Sequence, residues 1–197
     1  MITSKQRFLK RVFDIGLGML LFPILIFPIF LLLLIATIDT SQSGLFSQVR
    51  IGQYGKPFRI YKIRTLRQEV HRLGHLETSA TVFGKWLRQH KLDELPQLFN
   101  VLKGEMSFVG PRPDLPGFAD VLSGEDRIIL KVKPGITGPA TLKYQDEEVV
   151  LAQQIDPEYY NRTVIWPDKV EINKKYVRTW SFSLDLQLIL KSINKAS

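Results

Sequence analysis

Residues 15–38 read IGLGMLLFPILIFPIFLLLLIATI, and no charged side chain interrupts them. A straight helix over this run is about 36 Å long, enough to cross the hydrocarbon core of a bilayer. A single spanning helix is one reading. Pro23 and Pro28 argue against it, because each removes a backbone donor and disfavours continuation of the helix. Positive charge also sits on both sides of the run, and basic flanks tend to stay on the cytoplasmic face. Together these features favour a segment that enters the bilayer, breaks at proline and returns to the same face. The carbonyls freed at such a break need partners at that depth. A cleaved signal peptide is a third reading, but its apolar core would be unusually long and residues 34–43 offer no clean small-x-small cleavage site.

The net charge of +8 is concentrated around this run. Lys5, Arg7, Lys10, Arg11, Arg50, Lys56, Arg59, Lys62, Arg64 and Arg67 face only Asp14 and Asp39 within the first 67 residues, and the remainder of the chain is neutral. A basic protein first suggests nucleic acid. Cations placed around an apolar segment point instead to an anionic membrane surface, with no nucleic-acid partner. There is no cysteine, which excludes disulfides and thiolate metal sites.

After a polar linker, Thr40 to Gly44, two extended runs are expected at Leu45–Ile51 and Pro57–Ile63, joined by a turn at Gly52-Gln53-Tyr54-Gly55. Arg59, Lys62 and Arg64 interleave with Phe58 and Ile60, an alternation expected to gather basic side chains on one strand face. Residues 69–81 read as a polar loop. His71 and His75 stand four apart, a metal-ligand spacing on a helix, but Gly74 lies between them and no third ligand is evident, so a solvated loop is expected. Helices are expected over residues 81–90 and 92–102, the second stopped by Gly104. Proline-punctuated turns follow at Gly110-Pro111-Arg112-Pro113 and over residues 133–139. The tail from Trp180 to Ile193 is amphipathic, suited to core packing or to the membrane interface.

Asp93 and Glu94 are adjacent carboxylates at the start of the second helix. Asp is a favoured N-cap and Pro96 suits a first turn, so both acids have a purely structural explanation. The same position supports chemistry, since a helix N-terminus attracts phosphate. A carboxylate there can bind a divalent cation or attack phosphorus, and its neighbour can act as base or second metal contact. Arg88 is placed to bridge phosphate oxygens. Arg112, stiffened between two prolines, suits bidentate phosphate recognition or an ordinary turn. Trp166-Pro167-Asp168-Lys169 combines an aromatic, a turn and an acid; it either lines a nucleotide or sugar pocket or forms a plain turn stabilised by Asp168.

The order and wording of several segments resemble the bacterial sugar transferases, the small monotopic phosphoglycosyl transferases. Lys10-Arg11-Val12-Phe13-Asp14 opens the anchor, and residues 55–65 (GKPFRIYKIRT) follow it. Residues 92–104 (LDELPQLFNVLKG) lead into 106–113 (MSFVGPRP), and 133–138 (KPGITG) come later. The likeness runs over nearly the whole chain. It implies that Asp93 attacks the β-phosphate of a UDP-sugar, that UMP leaves, and that polyprenyl phosphate then accepts the phospho-sugar. It also implies a magnesium ion on Asp93 and Glu94, with Glu94 assisting catalysis. Arg88 and Arg112 would be phosphate binders, with Lys62, Arg64 and Asp168 as further substrate contacts. The anchor would be re-entrant, on the cytoplasmic face of a bacterial inner membrane among its lipids.

Two departures stand out. Phe22 precedes Pro23 where many relatives have a serine, and residues 139–148 (PATLKYQDEE) replace a motif ending in arginine, for which Lys143 is a candidate substitute. The expected architecture is α/β, mostly helical with a small β-hairpin or sheet. Residues 1–40 would form the re-entrant anchor and 41–197 a cytoplasmic catalytic domain with amphipathic helices at the interface. A nucleotide-sugar phosphohydrolase and a polybasic membrane scaffold are the rival functions.

Overall fold

The computed structural model describes residues 2–67, 73 and 76–196. His71 and His75 lie outside the described residues. Helix α1 runs from Ser4 to Thr40, opened by a capping box in which the Thr3 hydroxyl and Gln6 side chain satisfy each other's backbone amides. The helix ends at Ser41, whose backbone is left-handed (φ 54°). It continues without interruption through Pro23 and Pro28, so the expected break at proline is not present as a gap in the helix. Each proline deletes one amide donor, while the leucine- and isoleucine-rich turns around it keep theirs.

Lys10, Asp14, Gly18, Ile29, Ala36 and Thr40 are buried and fall on one stripe of α1. Met19, Leu20, Ile24, Phe27, Phe30 and Ile38 are exposed. The helix is long and apolar enough to cross a membrane by length and composition. Yet the buried stripe meets the rest of the protein along most of its length.

Strands β1 (Leu45–Ile51) and β2 (Pro57–Ile63) pair antiparallel, with Leu45 opposite Ile63 and Ile51 opposite Pro57. Tyr54 (φ 61°) and Gly55 (φ 78°) make the connecting turn. The polar stretch before Thr81 contains a helical turn, α2 (Leu76–Ser79), where loop was expected. Thr81 caps α3 (Val82–Gln89) by accepting from the Gly84 amide. Helix α4 (Gln97–Lys103) ends at left-handed Gly104 (φ 86°).

Strand β3 (Ser107–Val109) pairs in parallel with β4 (Gly135–Thr137). The second proline-glycine segment is therefore partly strand rather than turn alone. A Cβ at Gly110 would collide with the Lys133 carbonyl, and one at Gly135 with the Gly110 amide, so the two loops close only because both residues are glycine. Helices α5 (Pro139–Lys143), α6 (Glu147–Ala152) and α7 (Pro157–Tyr160) lead through a π-helical turn, residues 161–165, into α8 (Trp166–Arg178) and α9 (Phe182–Ala196). The expected turn at 166–169 is the first turn of α8, with Pro167 where its missing amide costs nothing.

The amphipathic tail packs Trp180 and Leu188 into a core with Val109, Val132, Tyr176 and Val177, and leaves Leu190 and Ile193 exposed. A buried ionic knot joins the chain ends. Asp185 on α9 accepts from Lys10 on α1, from the Tyr176 hydroxyl at 2.7 Å and from the Trp180 indole at 3.0 Å. Removing one member of a buried ion pair leaves the other uncompensated. Asp185→Ala is expected to lower unfolding stability by about 3–5 kcal/mol. The Lys10→Met/Asp185→Leu double variant should recover part of the loss, as measured by thermal unfolding in detergent micelles.

Candidate active site

Lys91 adopts a left-handed conformation (φ 55°) and starts a 3-10 turn over Leu92–Glu94. A single helix over 92–102 was expected, with capping as one explanation of Asp93. Instead the turn carries i to i+3 bonds, Glu94 N to Lys91 O (3.3 Å) and Leu95 N to Leu92 O (3.2 Å), and α4 begins only after Pro96. Proline has no amide to extend an α-helical ladder backward, so the two pieces stay distinct. Asp93 makes no capping bond, and its carboxylate is left for other work.

Leu92 anchors the turn. It packs against a cluster of Ala36, Ile63 and Leu87, joined by Leu32, Leu33 and Phe83. The second half of α1 thus forms the floor beneath Asp93. On the other side, Asp14 in the first half of α1 accepts from the Ser107 hydroxyl (2.9 Å) and the Phe108 amide (3.1 Å). That holds β3, whose continuation is Gly110-Pro111-Arg112. Phe22 of α1 meets Phe99 of α4 edge-on at 5.8 Å, so the phenyl group that replaces a serine hydroxyl serves packing here.

Glu94 is held by two cations. Lys62 Nζ donates to Oε1 at 2.8 Å, and Arg112 donates to both oxygens, one bond measuring 3.4 Å. Burial pushes the Glu94 carboxyl up, but Arg112 and Lys62 outweigh it and hold the group well below the usual range. Glu94 in turn raises the Arg112 guanidinium further above its ordinary value. Asp93 is buried too, with Lys62 Nζ 3.9 Å from Oδ2, and among the described residues no hydrogen bond reaches its carboxylate. Burial raises its carboxyl above the ordinary range, Lys62 opposes this, and the Glu94 charge adds to it. Two adjacent acids are thereby driven apart: one fixed as an anion, the other pushed toward protonation.

Arg88 on α3 lies within the electrostatic reach of Asp93, but its guanidinium donates to Glu148 on α6 at 2.9 Å. Asp168 accepts from Lys143 (2.6 Å) and the Tyr144 hydroxyl (2.6 Å), and its neighbour Lys169 pairs with Glu147 at 2.6 Å. Lys143, considered as a replacement arginine, is thus bound to Asp168. Arg64 is not part of the cluster. It lies past the end of β2, donates to the Ser43 carbonyl at 2.7 Å and stands over Phe46. Nor do the basic residues of β2 share a face. The two-residue period puts Arg59 opposite to Lys62, and Arg59 reaches Ser47 while Lys62 reaches Glu94.

Asp114, Glu147 and Glu148 were not singled out from the sequence. Glu147 and Glu148 fall in the departing segment 139–148, and that departure was the available signal. Asp114 directly follows the Gly-Pro-Arg-Pro loop, a position that marks it only once the loop is placed. Burial pushes the Asp114 carboxyl up to about 7, against Lys169, Arg50 and Arg112. Burial, with Arg112 nearby, lowers Arg50 to about 10.

Between pH 4 and pH 7 folded Asp114 keeps a proton that the unfolded chain releases, so its contribution makes stability fall as pH rises through that window. Asp114→Asn removes this penalty. The variant should gain stability over wild type at pH 8 and lose that advantage below pH 4, as read from unfolding curves at each pH.

Residues 5–197 match the family model described as bacterial sugar transferase. The chain is 34% identical over 190 residues to the uncharacterized sugar transferase EpsL of Bacillus subtilis (strain 168), covering 95% of this chain and 86% of that protein. It is 35% identical over 196 residues to the UDP-glucose:undecaprenyl-phosphate glucose-1-phosphate transferase of Klebsiella pneumoniae, covering 94% of this chain and 39% of that protein. Identity to the Escherichia coli (strain K12) protein of the same name is 31% over 205 residues, covering 98% and 41%. The chain therefore spans about two fifths of the length of these last two relatives. With a family model matched from its fifth residue to its last, and with relatives aligned over nearly all of it, the chain belongs to the bacterial sugar transferase family.

Proposed function

We propose that the protein transfers a sugar-1-phosphate from a UDP-sugar to a polyprenyl phosphate and releases UMP. The names of the Klebsiella and Escherichia relatives describe that class of reaction with undecaprenyl phosphate. The observation that carries the reading is Asp93: a buried carboxylate that no hydrogen bond reaches among the described residues, set among Lys62, Arg88 and Arg112, beside a glutamate that already holds two of those cations.

Asp93 attacks the β-phosphorus of the donor. The bond between that phosphorus and the oxygen bridging to UMP breaks, and UMP leaves with the electron pair. The phospho-sugar is then esterified to Asp93. A phosphate oxygen of the lipid attacks the same phosphorus and expels the Asp93 carboxylate, which regenerates the enzyme. Phosphoryl transfer depends mainly on positioning and charge neutralisation. Lys62, Arg88 and Arg112 supply the charge, and Glu94 orients Lys62 and Arg112. Arg88 exchanges Glu148 for a phosphate oxygen as donor enters.

Among the described residues no group of three or more His, Asp or Glu side chains gathers as a metal site. Magnesium is commonly held by one or two carboxylates with the remaining positions on substrate phosphates, and Asp93 fits that pattern. Glu94 fits it less well, since both its oxygens accept from cations. When bound, magnesium supplies charge neutralisation at the diphosphate.

The placement of α1 supports a monotopic, re-entrant anchor. At about 55 Å, a helix of this length crossing the bilayer beside a body on one side would meet that body near one end only. Here Lys10 and Asp14 near one end, and Ala36 near the other, all contact the rest of the protein. Both ends then lie at one membrane face. The cytoplasmic face of a bacterial inner membrane is where a soluble nucleotide sugar meets a lipid phosphate.

Purified protein with magnesium and donor should release about one equivalent of UMP without acceptor and turn over only when polyprenyl phosphate is added. Asp93→Asn should abolish both phases, and intact-mass analysis should place a phospho-sugar adduct on Asp93 in wild type. Turnover that persists in Asp93→Asn removes the nucleophile, and full turnover without lipid makes the protein a hydrolase. For topology, Thr3→Cys and Ser43→Cys should both be labelled by an impermeant thiol reagent from the cytoplasmic side alone. Labelling from opposite sides would establish a spanning helix.

A further inference from the structure

A second group of cations lies under the first turns of α1. Arg7, Lys10, Arg11 and Lys133 line a cavity of about 230 Å³ there, and none of them is among the cations around Asp93. Asp14 is the one acid lining it among the described residues, and its carboxylate is engaged by Ser107 and Phe108. Lys10 is neutralised by Asp185. The other three cations have neutral acceptors or none. Arg7 donates to the Tyr54 hydroxyl at 3.1 Å and reaches the Ile2 carbonyl at 3.5 Å, while its enclosed Nε has no acceptor. Arg11 donates to the carbonyls of Val101 (2.6 Å) and Leu102 (2.9 Å).

Lys133 has no hydrogen-bond or ion-pair partner among the described residues. It converges on Arg11: the Lys133 ammonium and the Arg11 guanidinium stand 3.3 and 3.2 Å from the point a Gly104 Cβ would occupy. Burial and the Arg11 charge lower the Lys133 ammonium below its usual value. Asp14 opposes this shift, but one carboxylate already engaged by Ser107 and Phe108 faces several cations, and like charges brought together and partly desolvated are costly to hold. An anion with several acceptor oxygens removes that cost, since guanidinium forks and an ammonium bind phosphate through short charge-assisted bonds.

We propose that this cavity binds a phosphate group, at a site separate from Asp93. Arg7, Arg11 and Lys133, none of them in an ion pair among the described residues, and the Tyr54 hydroxyl supply the donors. On the same turns of α1, Phe8, Leu9 and Val12 are exposed. Apolar side chains beside a cationic pocket suit a phospholipid headgroup, whose chains would lie along them. Free phosphate offers the same chemistry.

Hydrogen exchange on the full chain tests the proposal in two arms. In one, millimolar inorganic phosphate is added to protein in phosphatidylcholine nanodiscs. In the other, phosphatidylglycerol replaces part of the phosphatidylcholine. Amides of residues 2–14 and 131–133 should slow by about fivefold or more in at least one arm. The effect should vanish in Lys133→Gln and Arg7→Gln, return in Lys133→Arg, and persist in Arg112→Gln, whose change lies in the other site. A response to phosphatidylglycerol identifies the headgroup as the source, and a response to inorganic phosphate alone identifies the free ion. No slowing in either arm, or slowing that survives in both Lys133→Gln and Arg7→Gln, overturns the proposal.

Discussion

A buried carboxylate between two cations, Glu94 with Lys62 and Arg112, is the interaction on which the site depends. It ties together three segments distant in sequence: β2, the 3-10 turn before α4, and the loop after β3. None of these charges is tolerable alone at such depth, because the desolvation cost of each is met only by its partners. The clamp also sets the state of Asp93. With Lys62 and Arg112 committed to Glu94, Asp93 receives no hydrogen bond among the described residues and stands under the repulsion of a neighbouring anion. A group in that condition is not stabilised as a resting anion, unlike its neighbour Glu94.

Helix α1 is framework as much as anchor. Its first half fixes β3 through Asp14, and β3 leads to Arg112. Its second half supplies the apolar floor on which Leu92 sets the turn carrying Asp93. The two sides of the clamp are therefore registered against one continuous helix. Gly18 permits this approach: a Cβ there would stand 2.8 Å from the Leu102 side chain, closer than packed carbons allow. Catalytic geometry and membrane attachment are thus properties of the same element.

The acids of α6 add a further layer. Glu148 holds Arg88, and Glu147 holds Lys169 and adds to the field at Arg112. Both acids belong to segment 139–148.

The local chemistry of the chain was enough for the hairpin, whose strands fall at Leu45–Ile51 and Pro57–Ile63 as the alternation and turn residues require. It was also enough for a helix within residues 81–90, the stop at Gly104 and the long apolar helix. These depend on neighbours within a few residues, or on a long, distinctive string. It was not enough where distant segments compete. Pro23 and Pro28 do not interrupt α1, Asp93 does not cap, and Arg64 turns away to Ser43. The partners of Arg88, Lys143 and Asp114 also come from elements far along the chain. Propensity and spacing act over one or two turns, so residues 15–38 and 92–104 on their own determined an apolar helix and a pair of adjacent acids ahead of a helix stopped at Gly104. Which cation meets which carboxylate was decided by packing, because ion pairs form between whatever charges the buried apolar faces bring within a few ångströms.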